Sequence, residues 1–313
     1  MRVSRKRKKP SWGANLKIGG SPKPGEPLYD LDSFTDASIR EWDAYGRAVR
    51  DYHYALFFDL AGQRAARHKE LRAALQRVTS VTVDLNGWCR LVNFKYSNDA
   101  LSPAGSFRWI GQRFNLGSDI GAARFPAFPA LYLAENLETA FREYHGLPRG
   151  TNREGLRPDE LSLEDRGNWA TLQVTGHVNN VFDLTNAANL KGLCQIFAKF
   201  NLSDRVKRLA TKAKRPATNI IKTPTELLNS FAVDDWKAWP VHFDVPANSQ
   251  VFAQMVLEAG FEGILYRSAK GADKCLAVFT RQLGNSDSHV AVKGDHPPGT
   301  RFLEISAANC LDV

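Results

Sequence analysis

Residues 130–146 read "ALYLAENLETAFREYHG", and this stretch joins a strand pattern to a helix pattern. The apolar residues at 130–134 predict a buried strand. After them, apolar residues recur at the spacing of one helix face: Leu137, Ala140, Phe141 and Tyr144. Asn136 is a residue type that suits the N-cap of this helix. The stretch therefore predicts a buried strand that leads directly into a helix with one buried face.

Two glutamates of the predicted helix differ in how well local structure explains them. Glu138 falls in the first turn, where the helix dipole favours an anion, and this accounts for it. Glu143 lies near the C-terminal end, where the dipole disfavours an anion. At about 100° per residue it also flanks the apolar face rather than opposing it. Glu143 is therefore a candidate functional carboxylate, with a solvated surface glutamate as the alternative.

The charge of the chain is concentrated at its start. The formal net charge is +9, and six of the 42 basic residues lie within residues 1–9. Without those six, 36 basic residues remain against 33 acidic ones, a net charge of +3. The body of the protein is thus close to neutral, and its high isoelectric point does not indicate a nucleic-acid-binding fold.

The cysteines and the apolar runs exclude several classes of protein. No cysteine pair has the spacing of a zinc site, and nothing suggests a disulfide framework. The four cysteines are Cys89, Cys194, Cys275 and Cys310. No apolar core follows the basic start, as a secretory signal requires, and no apolar run reaches the roughly 20 residues of a membrane span. We expect a soluble cytoplasmic protein without a metal site.

The composition predicts three regions. Residues 1–35 are rich in Lys, Gly and Pro and predict a flexible basic tail. Residues 36–80 have helical periodicity and predict one long helix, or a helical hairpin broken at Gly62. Residues 81–313 alternate short strands and helices, which predicts an α+β domain. We expect limited proteolysis to leave a stable fragment that starts near residue 80.

Within the third region, further elements follow from periodicity. We expect strands at 89–96, 169–176 and 181–185, and helices at 187–200, 203–213 and 224–231. Residues 249–279 predict a helix, a strand, a loop and a strand, with Gly260 ending the helix. Residues 147–168 are polar and predict a loop.

Arginines are set in a glycine-rich segment before the strand at 130–134. They are Arg90, Arg108, Arg113 and Arg124. Arginine offers a planar fork of donors that suits phosphate, although solvated loop arginines are the alternative. There is no P-loop motif and no GxGxxG motif, which argues against a mononucleotide or Rossmann site. Ser268 follows a predicted strand without a GxSxG motif, so a hydrolase triad is weakly supported.

Five segments in order resemble the RES domain, over about residues 88–280. They are "CRLVNF" (89–94), "GQRFNLG" (111–117), "ALYLAENLETAFREY" (130–144), "VFDLT" (181–185) and "GFEGILYRSAKG" (260–271). The resemblance implies a fold related to ADP-ribosyltransferases, in which small sheets form a cleft for NAD. It also implies an NAD-consuming toxin, often encoded with an Xre-like antitoxin that blocks the cleft.

The resemblance also implies which residues form the site. Arg90 matches the opening arginine of the family, Arg113 the arginine of its glycine-rich segment and Tyr132 its tyrosine. Glu143 matches the family glutamate and Ser268 the family serine. NAD would be the substrate, with no separate cofactor.

Each matching residue can be given a role in breaking the nicotinamide–ribose bond. Glu143 would stabilise the oxocarbenium character of the transition state. Arg113, with Arg90 as second choice, would clamp the pyrophosphate. Tyr132 would pack its ring on the nicotinamide, and Ser268 would orient the ribose or the attacking group.

Three functions remain open at this point. The first is cleavage of NAD by hydrolysis or phosphorolysis. The second is ADP-ribosyl transfer to a protein or nucleic acid, docked by the basic tail and by residues 205–215. The third is a binding module without catalysis, against which the retention of all five matching residues argues.

Overall fold

The structure, a computed structural model, describes residues 36–147, 169–215, 220–233 and 235–312. The predicted tail and nearly all of the predicted loop at 147–168 lie outside the described residues. The chain divides into two compact units, residues 1–47 and residues 48–313. The first unit is described only as the start of a helix, and the second contains all the other elements.

The described residues of the second unit form both helices and strands. The helices are α1 (Asp36–Ala66, which begins in the first unit), α2 (His68–Gln76), α3 (Ala104–Phe107), α4 (Leu137–His145), α5 (Lys191–Phe197), α6 (Asp204–Lys212), α7 (Pro224–Ala232), α8 (Ala238–Phe243) and α9 (Asn248–Glu258). The strands are β1 (Val81–Asp84), β2 (Cys89–Asn93), β3 (Gly111–Gln112), β4 (Asn115–Leu116), β5 (Leu131–Ala134), β6 (Trp169–Asp183), β7 (Gly263–Arg267), β8 (Lys274–Val278), β9 (His289–Val292) and β10 (Glu304–Ile305). The predicted α+β class is confirmed.

Eight strands form one mixed sheet, and β3 and β4 form a separate hairpin. The strand order in the sheet is β10-β9-β6-β2-β5-β8-β7, with β1 beside β6. Strand β7 also pairs with the C-terminal end of β6, in parallel, through Val181–Asp183. The path from β6 through β2, β5, β8 and β7 therefore closes on itself. The other pairings of this sheet are antiparallel.

Two glycines at predicted boundaries lie inside continuous elements. The strands predicted at 169–176 and 181–185 form the single strand β6, and Gly176 lies within it with φ of 110°. A side chain at Gly176 would collide with the backbone of His289 on β9. Glycine at this position therefore allows β6 and β9 to approach each other closely. Helix α1 likewise continues through Gly62 to Ala66, since one helical glycine costs only about 1 kcal/mol.

The two faces of the sheet bury different clusters. Side chains alternate along a strand, so Cys89 and Leu91 face one cluster while Val92 faces the other. Helices α2, α4, α5, α7 and α9 contribute to the first cluster, which also includes Tyr266 and Cys275. The helices on this face carry much of the candidate site.

Residues 48–80 pack as part of the second unit. Leu71 and Leu75 of α2 lie in the first cluster and are 2% and 0% exposed. Tyr52 and Leu56 of α1 form a third cluster with Val206 and other residues of α6 and its C-terminal end. We therefore place the start of a stable fragment at residue 48 rather than near residue 80.

This placement predicts the behaviour of two fragments. The fragment 48–313 should unfold cooperatively, whereas 81–313 should be less stable by several kcal/mol. The reason is that losing two buried leucines removes about 2 kcal/mol or more for each, in addition to the contacts of α1. Urea unfolding of both purified fragments measures the difference. Equal midpoints would show that residues 48–80 are a separable extension.

Candidate active site

The carboxylate of Glu143 and the hydroxyl of Ser268 meet in a direct hydrogen bond. Glu143 lies near the end of α4, and Ser268 follows β7 directly. Ser268 Oγ donates to Glu143 Oε1 over 2.5 Å, and the Ala269 N–H donates to the same oxygen over 3.0 Å. The structure thus brings together two residues that are 125 positions apart in the chain.

The hydroxyl of Ser268 is fully used within the protein. Besides its donation to Glu143, Ser268 Oγ accepts from the Lys270 N–H over 3.0 Å and from the Gly271 N–H over 2.6 Å. A hydroxyl has one donor and two acceptor positions, and all three are taken. Ser268 therefore holds Glu143 in place and is not arranged as a nucleophile.

The loop after Ser268 is tied to the beginning of α4. Asp273 Oδ2 accepts from Asn136 Nδ2 over 2.8 Å and from Thr139 Oγ1 over 3.3 Å. Asn136 is the N-cap of α4, as predicted, and its side chain accepts from the Thr139 N–H. A Cβ on Gly271 would lie 2.7 Å from Thr139 Oγ1. Glycine at position 271 thus allows the loop to approach the helix that carries Glu143.

Glu138 has a partner that the sequence did not indicate. Its Oε1 accepts from Arg142 Nε over 2.9 Å, and the Arg142 side chain is only 1% exposed. The helix dipole alone therefore does not account for Glu138, contrary to the expectation from sequence. Because a buried guanidinium needs a compensating charge, Glu138 is a structural residue of α4.

Arg113 lies in the turn of the β3–β4 hairpin and reaches the C-terminal end of α7. Its Nη1 donates to the carbonyl oxygens of Phe231, over 2.7 Å, and Val233, over 2.8 Å. A cation is favoured at a helix C-terminus, where carbonyl groups lack partners. Within the described part of the chain, Nε and Nη2 of Arg113 have no hydrogen-bond partner.

The hydroxyl of Tyr132 supports the same hairpin. It donates to Asn115 Oδ1 over 2.9 Å and accepts from the Phe114 N–H over 3.0 Å. Burial raises the pKa of the Tyr132 hydroxyl far above its usual range, and the Phe114 N–H and the Arg113 charge oppose this rise only in part. Tyr132 is therefore a neutral donor, and its ring is half-buried on β5.

Arg90 is not brought to the same place. It lies between Cys89 and Leu91 on β2, and both of these face the cluster that Tyr132 packs against. Strand alternation puts Arg90 on the other face of the sheet. There Nη2 donates to the Ser102 carbonyl over 3.1 Å. Burial lowers the pKa of Arg90 to about 10, against the opposing effect of Asp99.

A known protein family matches the part of the chain that contains these residues. The family description "RES domain" matches residues 87–298, two thirds of the chain. The chain belongs to the RES-domain family. All five residues that the resemblance singled out lie inside this RES domain, whereas α1, α2 and β1 precede it.

Other comparisons were less informative. A chain from the crystal structure of the M. tuberculosis MbcT-MbcA toxin-antitoxin complex aligns at a TM-score of 0.40 and 14% identity. The alignment covers 78% of this chain and 96% of that chain. None of the curated proteins compared with the chain matches it significantly.

Tyr266 packs against Phe114 of the β3–β4 hairpin and was not predicted as a site residue. It is 9% exposed, and its ring centroid lies 4.6 Å from that of Phe114. Burial raises the pKa of the Tyr266 hydroxyl, with further increases from Cys275 and Glu143 and an opposing effect of Arg113. Its hydroxyl is thus within electrostatic range of both candidate charges. The sequence pattern predicts for Tyr266 only a buried position in a strand.

Gln250 of α9 was also missed. It is fully buried, and its Nε2 donates to three carbonyl oxygens of the hairpin segment: Ile110 over 2.8 Å, Gln112 over 3.1 Å and Asn115 over 3.1 Å. This side chain fixes the hairpin that carries Arg113. A glutamine in an amphipathic helix usually faces solvent, so no local pattern marks Gln250 as a site residue.

Among the described residues, no group of three or more His, Cys, Asp or Glu side chains is arranged to hold a metal ion. No helix in the same residues has the length and apolar character needed to cross a bilayer. Arg108 and Arg124 are exposed, as solvated loop arginines are.

Proposed function

We propose that this RES-domain protein cleaves the nicotinamide–ribose bond of NAD, by hydrolysis or phosphorolysis, and acts as a toxin that depletes NAD. The observation that carries the proposal is the carboxylate of Glu143, held by the Ser268 hydroxyl and the Ala269 N–H. A carboxylate fixed in this way stabilises developing positive charge without reorganising during the reaction.

The proposed reaction has two parts, the loss of nicotinamide and the attack on the ribose carbon. Nicotinamide leaves with the electron pair of the glycosidic bond, and the ribose carbon gains oxocarbenium character. Glu143 Oε1 is occupied by its two donors, while Oε2 has no partner among the described residues. Oε2 is therefore the oxygen that would face the ribose. Water or phosphate then forms the new bond to the ribose carbon, and water loses a proton as it does so.

Arg113 and Tyr132 would bind the rest of the dinucleotide. Arg113 uses Nη1 for the end of α7, which leaves Nε and Nη2 for a bidentate contact to the pyrophosphate. The half-buried ring of Tyr132 would pack on the nicotinamide, as its hydroxyl is committed to Asn115. Arg90 faces the other side of the sheet, and we assign it no contact with NAD.

Replacing Arg113 by lysine should raise the apparent NAD requirement about tenfold or more. Lysine can keep one bond to the end of α7 but cannot supply a planar pair of donors to a phosphate. Steady-state nicotinamide release over a range of NAD concentrations measures the change. Arg108→Lys, in an exposed loop, is the matched control and should leave the requirement unchanged. An unchanged requirement in folded Arg113→Lys would remove this residue from the NAD site.

ADP-ribosyl transfer to a macromolecule is the second candidate, and the surface of α6 favours it. This helix packs Val206 and Ala210 against α1. Its other side exposes a row of cations: Arg205, Lys207, Arg208 and Lys212. Such a row would attract an acidic protein or a nucleic acid, although Lys207 also contacts Asp204 over 3.2 Å.

One experiment separates these reactions. The purified protein is incubated with adenine-labelled NAD, with and without phosphate, and with a mixture of RNA and acidic protein. We expect free ADP-ribose in water and its 1″-phosphate if phosphate is the attacking group. Label that stays on the macromolecules, with nicotinamide release dependent on them, would instead establish transfer.

The proposed toxin activity also implies a protein partner and a place of action in the cell. We propose an Xre-like antitoxin that blocks the NAD cleft, and a cytoplasmic site of action, where NAD is available. Growth arrest on expression of the chain, relieved by the co-expressed antitoxin and by Glu143→Gln, is the expected result.

A further inference from the structure

A largely apolar cavity has a lining that does not include Glu143 or Ser268. Its volume is about 230 Å³. Six of its lining residues come from α1, the segment after α5, α8 and α9: Leu56, Phe57, Leu60, Phe200, Trp239 and Phe252. Since a cavity of about 150 Å³ can hold benzene, this one has room for an aromatic ring with a short substituent or an alkyl chain of that size.

Among the described residues that line the cavity, one is a cation. Arg64, in the last turn of α1, lines the cavity together with the apolar residues and Asn248. Its guanidinium carbon lies 5.4 Å from the centre of the Phe57 ring. A contact with a ring face does not use the N–H donors, and Arg64 has no hydrogen bond or ion pair within the described ranges. The Glu258 carboxylate lines a neighbouring pocket together with Arg64, and it contacts His68 over 3.0 Å.

Arg64 is partly buried, and this reduces the hydration of its unused donors. Burial lowers the pKa of Arg64 to about 10, because the charged form has lost part of its hydration. The helix dipole favours a cation in this turn but supplies no acceptor for the guanidinium. An anion with a planar pair of oxygens would supply one, and a carboxylate has this geometry.

We propose that this cavity is a binding site for a small amphipathic monocarboxylate, whose apolar part fills the cavity and whose carboxylate pairs with Arg64. The ligand class follows from three features together: the volume, the apolar lining and, among the described lining residues, one partly buried guanidinium without a hydrogen bond. The proposal does not rest on NAD cleavage, because the lining residues do not include Glu143, Ser268 or Arg113. They do include Phe231, whose carbonyl accepts from Arg113.

Calorimetric titration with octanoate, and with octan-1-ol as the uncharged analogue, tests the site in the full-length protein. We expect one octanoate to bind per chain, at least about tenfold more tightly than octan-1-ol. Arg64→Gln should weaken octanoate binding about tenfold and leave octan-1-ol unchanged. Arg50→Gln, an exposed position on the same helix, is the matched control and should change neither. Leu60→Trp, which fills the cavity, should abolish both.

Three results would overturn the proposal. They are no octanoate binding to the wild-type protein, equal affinity for octanoate and octan-1-ol, and unchanged octanoate binding in Arg64→Gln. Should Leu60→Trp fail to fold, the Arg64→Gln and Arg50→Gln pair still decides the result. Because binding is read directly, the outcome does not depend on whether the protein cleaves NAD.

Discussion

Glu143→Gln is expected to lower nicotinamide release about a hundredfold at saturating NAD. The substitution keeps the shape of the side chain and removes its charge. Loss of an oriented charge costs on the order of 3 kcal/mol of transition-state stabilisation. The Ser268 and Ala269 donors can still bond the amide oxygen, so the fold should change little. The rate of nicotinamide release per folded molecule is the quantity to measure.

The matched control for this prediction is Glu304→Gln. Glu304 is an exposed glutamate at the β10 edge of the sheet, and the same chemical change there should leave turnover intact. Full activity of a folded Glu143→Gln protein would show that the carboxylate charge is not needed. The assignment of Glu143 would then be wrong.

Glu138→Gln is expected to destabilise the fold by about 2 kcal/mol and to preserve turnover of the molecules that remain folded. Removing one partner of a buried ion pair costs about 3–5 kcal/mol, and the partial exposure of Glu138 (25% of its side chain) reduces this. Its partner Arg142 remains buried after the change. Urea unfolding, compared with Glu304→Gln, measures the loss. A loss of only a few tenths of a kcal/mol would mean that the helix dipole explains Glu138 after all.

The fold was predictable where the residue pattern within one short segment determines its secondary structure. The strand at 130–134 and the helix after it appear at β5 and α4, because the apolar spacing and the Asn136 cap depend only on near neighbours. Helices α5, α6, α7 and α9 follow for the same reason. The union of two predicted strands into β6 was not predictable, since Gly176 owes its place to a contact with β9.

The candidate site was predictable only in part. Position in the helix singled out Glu143, and the family resemblance supplied Ser268, which the structure places in contact. Gln250 and Tyr266 act through contacts that span long stretches of sequence and have no local pattern. The sequence analysis offers Arg90 as the second choice after Arg113 for the pyrophosphate. Strand alternation, visible only once the register of β2 and β5 is known, separates them.

The central claim is cleavage of the nicotinamide–ribose bond, and its most direct test is the stoichiometry of NAD loss and nicotinamide release by the purified wild-type chain. The account predicts one nicotinamide for each NAD consumed, with repeated turnover and a rate proportional to protein concentration. A folded protein, free of any antitoxin, that leaves NAD intact or consumes it without releasing nicotinamide would contradict the account.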